Sequence, residues 1–349
     1  MLSWIDPETL HEAAIGALDL VQRSSLALAF LERRYRRDYS GLAQRFWDIE
    51  FDNPLGLAAG WDKSARVPAA LAAFGFSFLE LGTVTLRPEK GHPRPRIFKS
   101  ARGQWILNRV GFANDGLNTV AGRLRHLPHF GRTVLGVSLG KMLASPRERL
   151  GEEVVAMIEA LYPQVSFFSV NISSPNTPQG HLLSEGLFLR QMIKDIKIGN
   201  RRIALRLGRV PKPVFVKISS VVDTDNLKAL AKIFMEEGVN GVIAVNSLPT
   251  PRGGLSGRPL RETALATTAG LFREMGDSIP IIGVGGILTG RDAWERITAG
   301  ASLIQIFSGF VLRGPGLVAE ILEYLEGQIK RSGFREIGQA RGIYADRYA

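Results

Sequence analysis

The chain has 349 residues, a formal net charge of +11, 45% hydrophobic residues and no cysteine. A chain of this length buries a sizeable core, and the lack of cysteine excludes disulfides, cysteine-ligated zinc, iron–sulfur clusters and a thiolate catalyst. The positive charge favours an anionic partner, whether nucleic acid, an acidic lipid surface or an anionic metabolite, and does not choose between them.

Residues 1–45 predict a helical segment, distinct from the domain at 46–349. Its first helix has apolar residues at helical spacing from Leu10 to Val21, and a second starts near Ser24 or Ser25 and ends in the basic cluster Arg33–Arg37. By themselves these residues favour a helical hairpin packed on its own domain, and the alternative is an amphipathic pair lying on anionic lipid. No secretory signal is seen, and no apolar run reaches the roughly 18 residues of a membrane span.

From residue 53 onward, short apolar runs alternate with helical patterns. Continuous apolar strands that alternate with helices predict a parallel sheet. Eight such units favour the α/β fold of a closed (β/α)8 TIM barrel over an open doubly wound sheet. The runs are Leu55–Ala59, Phe78–Leu81, Val134–Leu139, Phe167–Ile172, Val214–Ile218, Gly241–Val245, Ile281–Val284 and Leu303–Phe307.

The long segment between the second and third runs contains Arg96–Lys99 and Trp105–Asn108. It predicts an inserted hairpin over the mouth of the barrel. In a TIM barrel the functional side chains follow the strands, because the active site lies at their carboxyl ends.

Polar side chains follow several of the predicted strands. Lys217 closes an apolar run, and a buried lysine is costly without a partner, so a functional role is favoured over a structural one. Lys63 taken alone could be a solvated residue at a helix start. The glycines at 285–286 and Ser308-Gly309 fit the phosphate site that many barrels build after their last two strands, although tight turns also use glycine.

Two loops are rich in side-chain amides. Asn171-Ile-Ser-Ser-Pro-Asn-Thr-Pro follows the fourth strand, and Asn108 and Asn114 lie in the inserted segment. With Asn246, these amides converge on one face if the barrel forms, which suits a planar ring with amide edges. The alternative for the first loop is a capping turn. No paired carboxylates or histidine clusters follow the strands, so no metal site is expected.

With these residues the chain resembles the class 2 dihydroorotate dehydrogenases, FMN enzymes that reduce a quinone. The resemblance covers essentially the whole chain. It rests on NPLGLAAGWDK at 53–63, LELGTVT at 79–85, PRIFK at 95–99, ILNRVGF at 106–112, NISSPNTP at 171–178, VKI at 216–218, GGLSGRPL at 253–260, IIGVGGI at 281–287 and QIFSGF at 305–310.

The resemblance implies oxidation of dihydroorotate to orotate in pyrimidine synthesis, with Ser174 as the catalytic base. Class 1 members use a cysteine there, and this chain has none. A serine is a poor base at its free pKa, so its surroundings must help it. The implied substrate set is Lys63, Asn108, Arg109, Val110, Gly111, Phe112, Asn171, Asn176, Asn246 and Ser247. The implied FMN set is Ala59, Gly60, Thr83, Ser138, Asn171, Lys217, Val245, Gly257, Gly286, Phe307 and Ser308.

Some positions depart from the family pattern. Ser138 stands where the family usually has asparagine, Val245 where it usually has threonine, and Ala113 replaces a frequent asparagine. The Ile-Ser-Ser run after Lys217 also differs from the alanine-proline-acidic run common in the family. We interpret the chain as a divergent, active member.

The resemblance also changes the interpretation of residues 1–45. It implies that this helical pair forms an apolar tunnel for a membrane quinone, with the arginine cluster against anionic headgroups. The expected location is peripheral, on the cytoplasmic face of a bacterial inner membrane or, alternatively, on the mitochondrial inner membrane. Other hypotheses are a divergent FMN-dependent oxidoreductase with another substrate, a paralogue without flavin and a nucleic-acid binder. No nucleic-acid motif supports the last, and no nucleic-acid partner is expected.

Overall fold

The computed structural model describes residues 6–127, 131–173 and 186–348. Its helices are α1 (Pro7–Gln22), α2 (Ser25–Tyr35), α3 (Pro68–Ala72), α4 (Gly116–Arg125), α5 (Leu150–Leu161), α6 (Gly186–Arg206), α7 (Thr224–Glu237), α8 (Arg261–Met275), α9 (Gly290–Thr298), α10 (Ser308–Arg313) and α11 (Gly316–Ser332). Its strands are β1 (Gln44–Phe46), β2 (Ile49–Phe51), β3 (Leu55–Leu57), β4 (Phe78–Val84), β5 (Ile97–Ser100), β6 (Trp105–Asn108), β7 (Val134–Leu139), β8 (Phe167–Asn171), β9 (Val214–Lys217), β10 (Gly241–Ala244), β11 (Leu248–Thr250), β12 (Gly253–Gly257), β13 (Ile281–Val284) and β14 (Leu303–Ile306).

Eight parallel strands close into a barrel in the order β3-β4-β7-β8-β9-β10-β13-β14. Closure confirms the TIM barrel and rules out the open sheet. Each barrel strand begins at the residue that the apolar runs predicted. The runs are continuous because the strands are buried on both faces, by the helices outside and by side chains within.

A hairpin that the sequence did not predict closes the amino-terminal end of the barrel. Strands β1 and β2 pair antiparallel, and the Trp47 ring lies 4.5 Å from that of Phe215. Phe51 packs at 5.6 Å against Phe78, the first residue of β4. Because these aromatic side chains fill the amino-terminal end of the barrel, a site is expected at its carboxyl end.

A four-stranded antiparallel sheet covers that carboxyl end. Its β5–β6 hairpin confirms the predicted insertion. The other two strands, β11 and β12, come from the segment after β10, and β12 pairs with β6. The sequence analysis did not predict them, because Gly253–Gly257 has little strand propensity.

The two amino-terminal helices form as predicted. Asp6 caps α1 by accepting from the Thr9 amide, and Ser24 caps α2 by accepting from the Ala27 amide. The Glu8 carboxylate pairs with Arg96 at 2.6 Å and so ties α1 to the β5–β6 insertion. In the described part of the chain no single helix has the length and apolarity of a membrane span, and α1 and α2 meet those criteria only together, across a 110° bend.

Candidate active site

A cavity of about 560 Å³ lies at the carboxyl end of the barrel, bounded by the strand ends, the covering sheet and α1. Most of the predicted site residues line it. They are Ala59, Gly60, Lys63, Thr83, Asn108, Val110, Gly111, Phe112, Asn171, Lys217, Val245, Asn246, Ser247, Gly257, Gly286, Phe307 and Ser308. One compartment therefore contains most of both predicted sets.

Two of the predicted residues that the structure describes, Arg109 and Ser138, are not on that lining. The Arg109 guanidinium donates to the Pro95 carbonyl at 3.2 Å. Ser138 is fully buried behind Thr83, with 3.0 Å between the two hydroxyl oxygens. Ser174 and Asn176 lie outside the described residues.

The described lining of the cavity contains lysines and no carboxylate. Lys63 donates to the Gly60 carbonyl at 3.2 Å. Burial, together with the nearby charge of Arg96, lowers the pKa of Lys63 to about 8. Its ammonium is still mostly protonated at neutral pH, so this end of the cavity attracts an anion.

Lys217 lies over a carboxylate inside the barrel. Its Nζ is 3.6 Å from Glu80 Oε2, and both side chains are almost fully buried. Glu80 also accepts from Ser169, at 2.5 Å, and from Gln305, at 3.0 Å. Such a network holds a buried ion pair in one geometry, because each charge has further hydrogen-bond partners.

Glu80 is a site residue that the sequence analysis missed. It belongs to β4, within the motif LELGTVT, and was read as part of an apolar strand. The available signal was a carboxylate inside a continuous apolar run, which is costly to bury without a cation. Lys217, at the end of a strand, was the matching cation.

Three of the predicted amides converge, because Asn108, Asn171 and Asn246 line the same cavity. Asn114 does not join them: it is buried off the lining and donates to the Thr85 hydroxyl at 2.8 Å. Asn246 Nδ2 donates to Asn171 Oδ1 at 3.2 Å and to the Ser173 carbonyl at 3.2 Å. Asn246 Oδ1 accepts from the Ser247 amide at 2.8 Å. The amides hold one another in fixed orientations facing a common space.

The two unusual cofactor positions have different surroundings. The Thr83 hydroxyl, which contacts Ser138, is also 3.4 Å from Asn171 Nδ2. Ser138 therefore lies behind the lining and gives the Thr83 hydroxyl a hydrogen-bond partner there. Val245 donates its backbone amide to Val284 at 3.1 Å and contributes an apolar wall to the cavity.

Glycines shape the segment after β13. Gly285 and Gly286 have φ of +108° and +72°. A Cβ on Gly286 would lie 2.4 Å from Arg261 Cα, so the segment packs directly on the start of α8. Beside this segment, α10 begins at Ser308, whose hydroxyl is 2.8 Å from that of Ser256. The predicted phosphate position is therefore bounded by backbone from both loops.

The cavity continues as an apolar passage beneath α1. Its helix side is formed by Leu10, Ala14, Ala17 and Leu18, and its barrel side includes Trp61, Phe74 and Phe310. His11 also faces the passage, with its ring 4.8 Å from that of Trp61. Burial, reinforced by Lys63, lowers the pKa of His11, so the imidazole is neutral at neutral pH. The sequence analysis did not identify His11.

The outer surface of the two helices is apolar and basic. Leu20, Leu26 and Phe30 are 69–83% exposed. Arg33 and Arg34 are exposed as well. Arg36 and Arg37 instead pair with Asp52 and Glu323, each at 2.6 Å. The Arg36 pair is partly buried and ties the end of α2 to the barrel, whereas the Arg37 pair is exposed, so Arg33, Arg34 and Arg37 all face solvent.

Comparisons with protein families, known sequences and solved structures all lead to the same enzyme family. A family model described as dihydroorotate dehydrogenase matches residues 41–329. Dihydroorotate dehydrogenase (quinone) of Acidithiobacillus ferrooxidans is 44% identical, over 99% of this chain and 98% of the relative. The enzyme of the same description from Marinobacter nauticus is 39% identical, over 94% and 98%. The crystal structure of DHODH from Eimeria tenella in complex with ferulenol superimposes with a TM-score of 0.86 at 28% identity, covering 98% of this chain and 97% of that one.

Proposed function

Because this chain belongs to the dihydroorotate dehydrogenase family, we propose that its cavity binds FMN and dihydroorotate and that a membrane quinone enters beneath α1. The chain oxidises dihydroorotate to orotate in pyrimidine biosynthesis, and a quinone is the final oxidant. The observation that carries the proposal is the continuity of the cavity. A cationic, amide-lined compartment opens into an apolar passage that reaches an exposed apolar helix pair.

The residues of the barrel mouth fit FMN. Bound FMN would supply the hydride acceptor and the electron path to the quinone. Gly286 and Ser308 flank the place for its phosphate, while Thr83, Lys217 and Gly257 face the larger space. Gln305 supports this assignment, because it lines the cavity and its buried Oε1 has no hydrogen-bond partner within the described part of the chain. Lys217 would stabilise negative charge on a reduced ring.

The amide-lined compartment fits dihydroorotate. Lys63 would pair with the substrate carboxylate, and Asn108, Asn171 and Asn246 offer donors and acceptors for the ring amides. The mutual hydrogen bonds of Asn171 and Asn246 fix these groups before the substrate arrives. Orientation of this kind lowers the entropic part of the barrier.

Ser174 would take the ring proton. The residue before it, Ser173, donates from its hydroxyl to the Lys217 carbonyl at 2.9 Å and accepts from Asn246. These contacts bring the chain to the edge of the amide compartment immediately before the proposed base.

The helix pair would rest on an anionic membrane. Its exposed apolar residues would enter the interface, and Arg33 and Arg34 would face the headgroups. His11, the only polar side chain that α1 contributes to the described lining, would then face the quinone in the passage. This arrangement supports the proposal of a peripheral position on the cytoplasmic face of a bacterial inner membrane or, alternatively, on the mitochondrial inner membrane.

Acceptor specificity tests the proposed function. The full chain is supplied with dihydroorotate and, in separate reactions, with a short-chain quinone, fumarate or NAD⁺, and orotate formation is followed. We expect orotate to form in the reaction with the quinone and not in the reactions with fumarate or NAD⁺. Orotate formation with fumarate or NAD⁺ and none with quinone would overturn the assignment of the passage beneath α1.

A further inference from the structure

A buried cation lies directly behind the glycine segment that follows β13. Arg296, on α9, is only 1% exposed. No carboxylate among the described residues is within ion-pair distance of it, and its Nε has no hydrogen-bond partner there. The nearest candidate on the same helix, Asp292, is already held by Arg258 and Arg261. Arg296 therefore forms no direct ion pair with a described carboxylate, although the more distant Asp292, Glu262 and Glu295 partly stabilise its charge.

The guanidinium grips the backbone of the glycine segment. Its Nη1 donates to the Val284 carbonyl at 3.0 Å, and its Nη2 donates to the Gly285 carbonyl at 2.8 Å. Gly283 makes room for this side chain, since a Cβ there would lie 2.5 Å from Arg296 Cγ. The fork geometry of arginine suits two neighbouring carbonyls.

These two hydrogen bonds fix the direction of two backbone amides. In a planar trans peptide the N–H points opposite to the C=O. With the carbonyls of Val284 and Gly285 directed at Arg296, the N–H groups of Gly285 and Gly286 point away from it. Both glycines line the cavity. The N–H ends of these two peptides therefore present positive potential to the cavity, and the guanidinium behind them adds to it.

Arg296 is a desolvated cation that no described carboxylate contacts directly. Burial, together with the charge of Arg261, lowers the pKa of Arg296 to about 9. A buried cation without a direct ion pair is costly, and the cost falls when an anion binds close by.

We propose that Arg296 is a positioning residue for the phosphate of the flavin, acting from behind through the backbone of Gly285 and Gly286. The inference rests on the proposed binding of FMN. It implies that the chain selects a phosphorylated flavin over riboflavin, and that this preference depends on a side chain that never touches the ligand.

The test compares two flavins on three full-length proteins freed of flavin: the wild type, Arg296→Met and Arg291→Met. Arg291 is an exposed arginine of the same helix that pairs with Glu295, so its variant makes the same charge change away from the glycine segment. FMN and riboflavin are titrated by quenching of flavin fluorescence. Arg296→Met weakens FMN binding about tenfold or more and leaves riboflavin binding nearly unchanged, whereas Arg291→Met changes neither.

The ratio of the two affinities separates the possible outcomes. Equal weakening of FMN and riboflavin by Arg296→Met would reduce Arg296 to a structural residue and overturn the inference. If Arg296→Met does not fold, Arg296→Lys is measured, since lysine keeps the charge but cannot hold both carbonyls as a fork. An unchanged ratio in either folded variant contradicts the inference. A wild type that binds both flavins equally contradicts the FMN proposal itself.

Discussion

At the scale of single residues, Lys63, Glu80 and Ser174 carry the most testable parts of the account. The first is a partly buried cation in the lining, the second is a fully buried carboxylate beneath Lys217, and the third is the proposed base. Each makes a different prediction because each acts in a different way: by pairing with the substrate, by balancing a charge and by taking a proton.

Lys63 gives the reaction a pH limit on the alkaline side. Its pKa is lowered to about 8, so the ammonium is present below that value and is lost above it. The kcat/KM for dihydroorotate therefore falls as the pH rises through about 8. Lys63→Met lowers kcat/KM by about 10- to 100-fold at neutral pH, the worth of one charge-assisted hydrogen bond.

Two further variants test this interpretation of Lys63. Lys63→Arg removes the alkaline fall, because arginine stays charged. Lys90→Met, at an exposed lysine outside the lining, leaves the profile as in the wild type. A wild-type profile that is flat to pH 10 would contradict the role of Lys63.

Glu80 balances Lys217. Glu80→Gln leaves a buried cation without its counterion and lowers the free energy of unfolding by about 3 kcal/mol. Denaturant titration of the full chain measures the change. In a Lys217→Met background the same substitution costs clearly less, because the orphaned charge is gone. Equal costs in both backgrounds would mean that the 3.6 Å pair contributes no coupling.

Ser174 is predicted to be required for proton removal. Ser174→Ala lowers the rate of substrate oxidation near neutral pH by about 100-fold or more, the usual contribution of a general base. Ser174→Cys restores part of the rate, since a thiol has a lower pKa than a hydroxyl. Stopped-flow measurement of flavin reduction distinguishes the variants. Full turnover by Ser174→Ala would disprove the assignment of the base.

At the scale of elements, α1 closes one side of the passage and is held by few contacts. The Glu8–Arg96 pair is nearly buried, whereas the Glu12–Arg66 pair of the same helix is largely exposed. Arg96 also donates to the carbonyls of Lys90 and His92. Glu8 thus fixes one end of α1 to the insertion, Gln22 at the other end donates to the Arg66 carbonyl, and the middle of the helix packs on apolar residues.

Glu8→Gln is expected to loosen α1. Loss of the buried partner costs about 3 kcal/mol locally, which raises the KM for quinone. Because the Glu8 carboxylate also raises the pKa of Lys63, flavin reduction by dihydroorotate is compared at pH 6, where Lys63 stays protonated and the rate is unchanged. Glu12→Gln is the matched control and has little effect, since exposed pairs contribute at most about 1 kcal/mol. A Glu8→Gln variant with wild-type KM for quinone would contradict the role of the pair.

The exposed face of α1 and α2 is expected to bind membranes. A Leu26→Glu, Phe30→Glu double variant loses about 100-fold in partitioning to vesicles with anionic lipid, the effect of withdrawing two large apolar side chains from the interface. Vesicle sedimentation measures this. Leu205→Glu, on the outside of the barrel and 82% exposed in the wild type, is the control and partitions normally. Equal partitioning of both variants would place the membrane contact elsewhere.

At the scale of the whole molecule, the barrel could be predicted because burial on both faces leaves each strand as an unbroken apolar run. The hairpin at Gln44–Phe51 could not be predicted, because each of its strands has only three residues. The hairpin is stabilised by packing against Phe78 and Phe215, which are distant in sequence. Strands β11 and β12 were missed for a related reason. The pairing of β12 with β6 is a long-range contact that no local pattern encodes, and β11 in turn pairs with β12.

The site divides in the same way. Asn171, Lys217 and Asn246 were found because they are polar residues at the ends of apolar strands. Glu80 and Arg296 were not found, because their roles depend on contacts with residues distant in sequence. Glu80 pairs with a lysine, and Arg296 donates to two backbone carbonyls. His11 was not identified because the sequence does not show which face of α1 lines the cavity. The packing of His11 against Trp61 defines that face.

The most direct test of the central claim is an anaerobic absorbance spectrum of the purified full chain, recorded before and after dihydroorotate is added. The account predicts a flavin band that bleaches on addition, because the cavity holds the cofactor and the substrate together. A flavin band that persists would contradict the assignment of the amide compartment to dihydroorotate. The absence of a band, even after FMN is supplied, would contradict the claim that the barrel mouth binds a flavin.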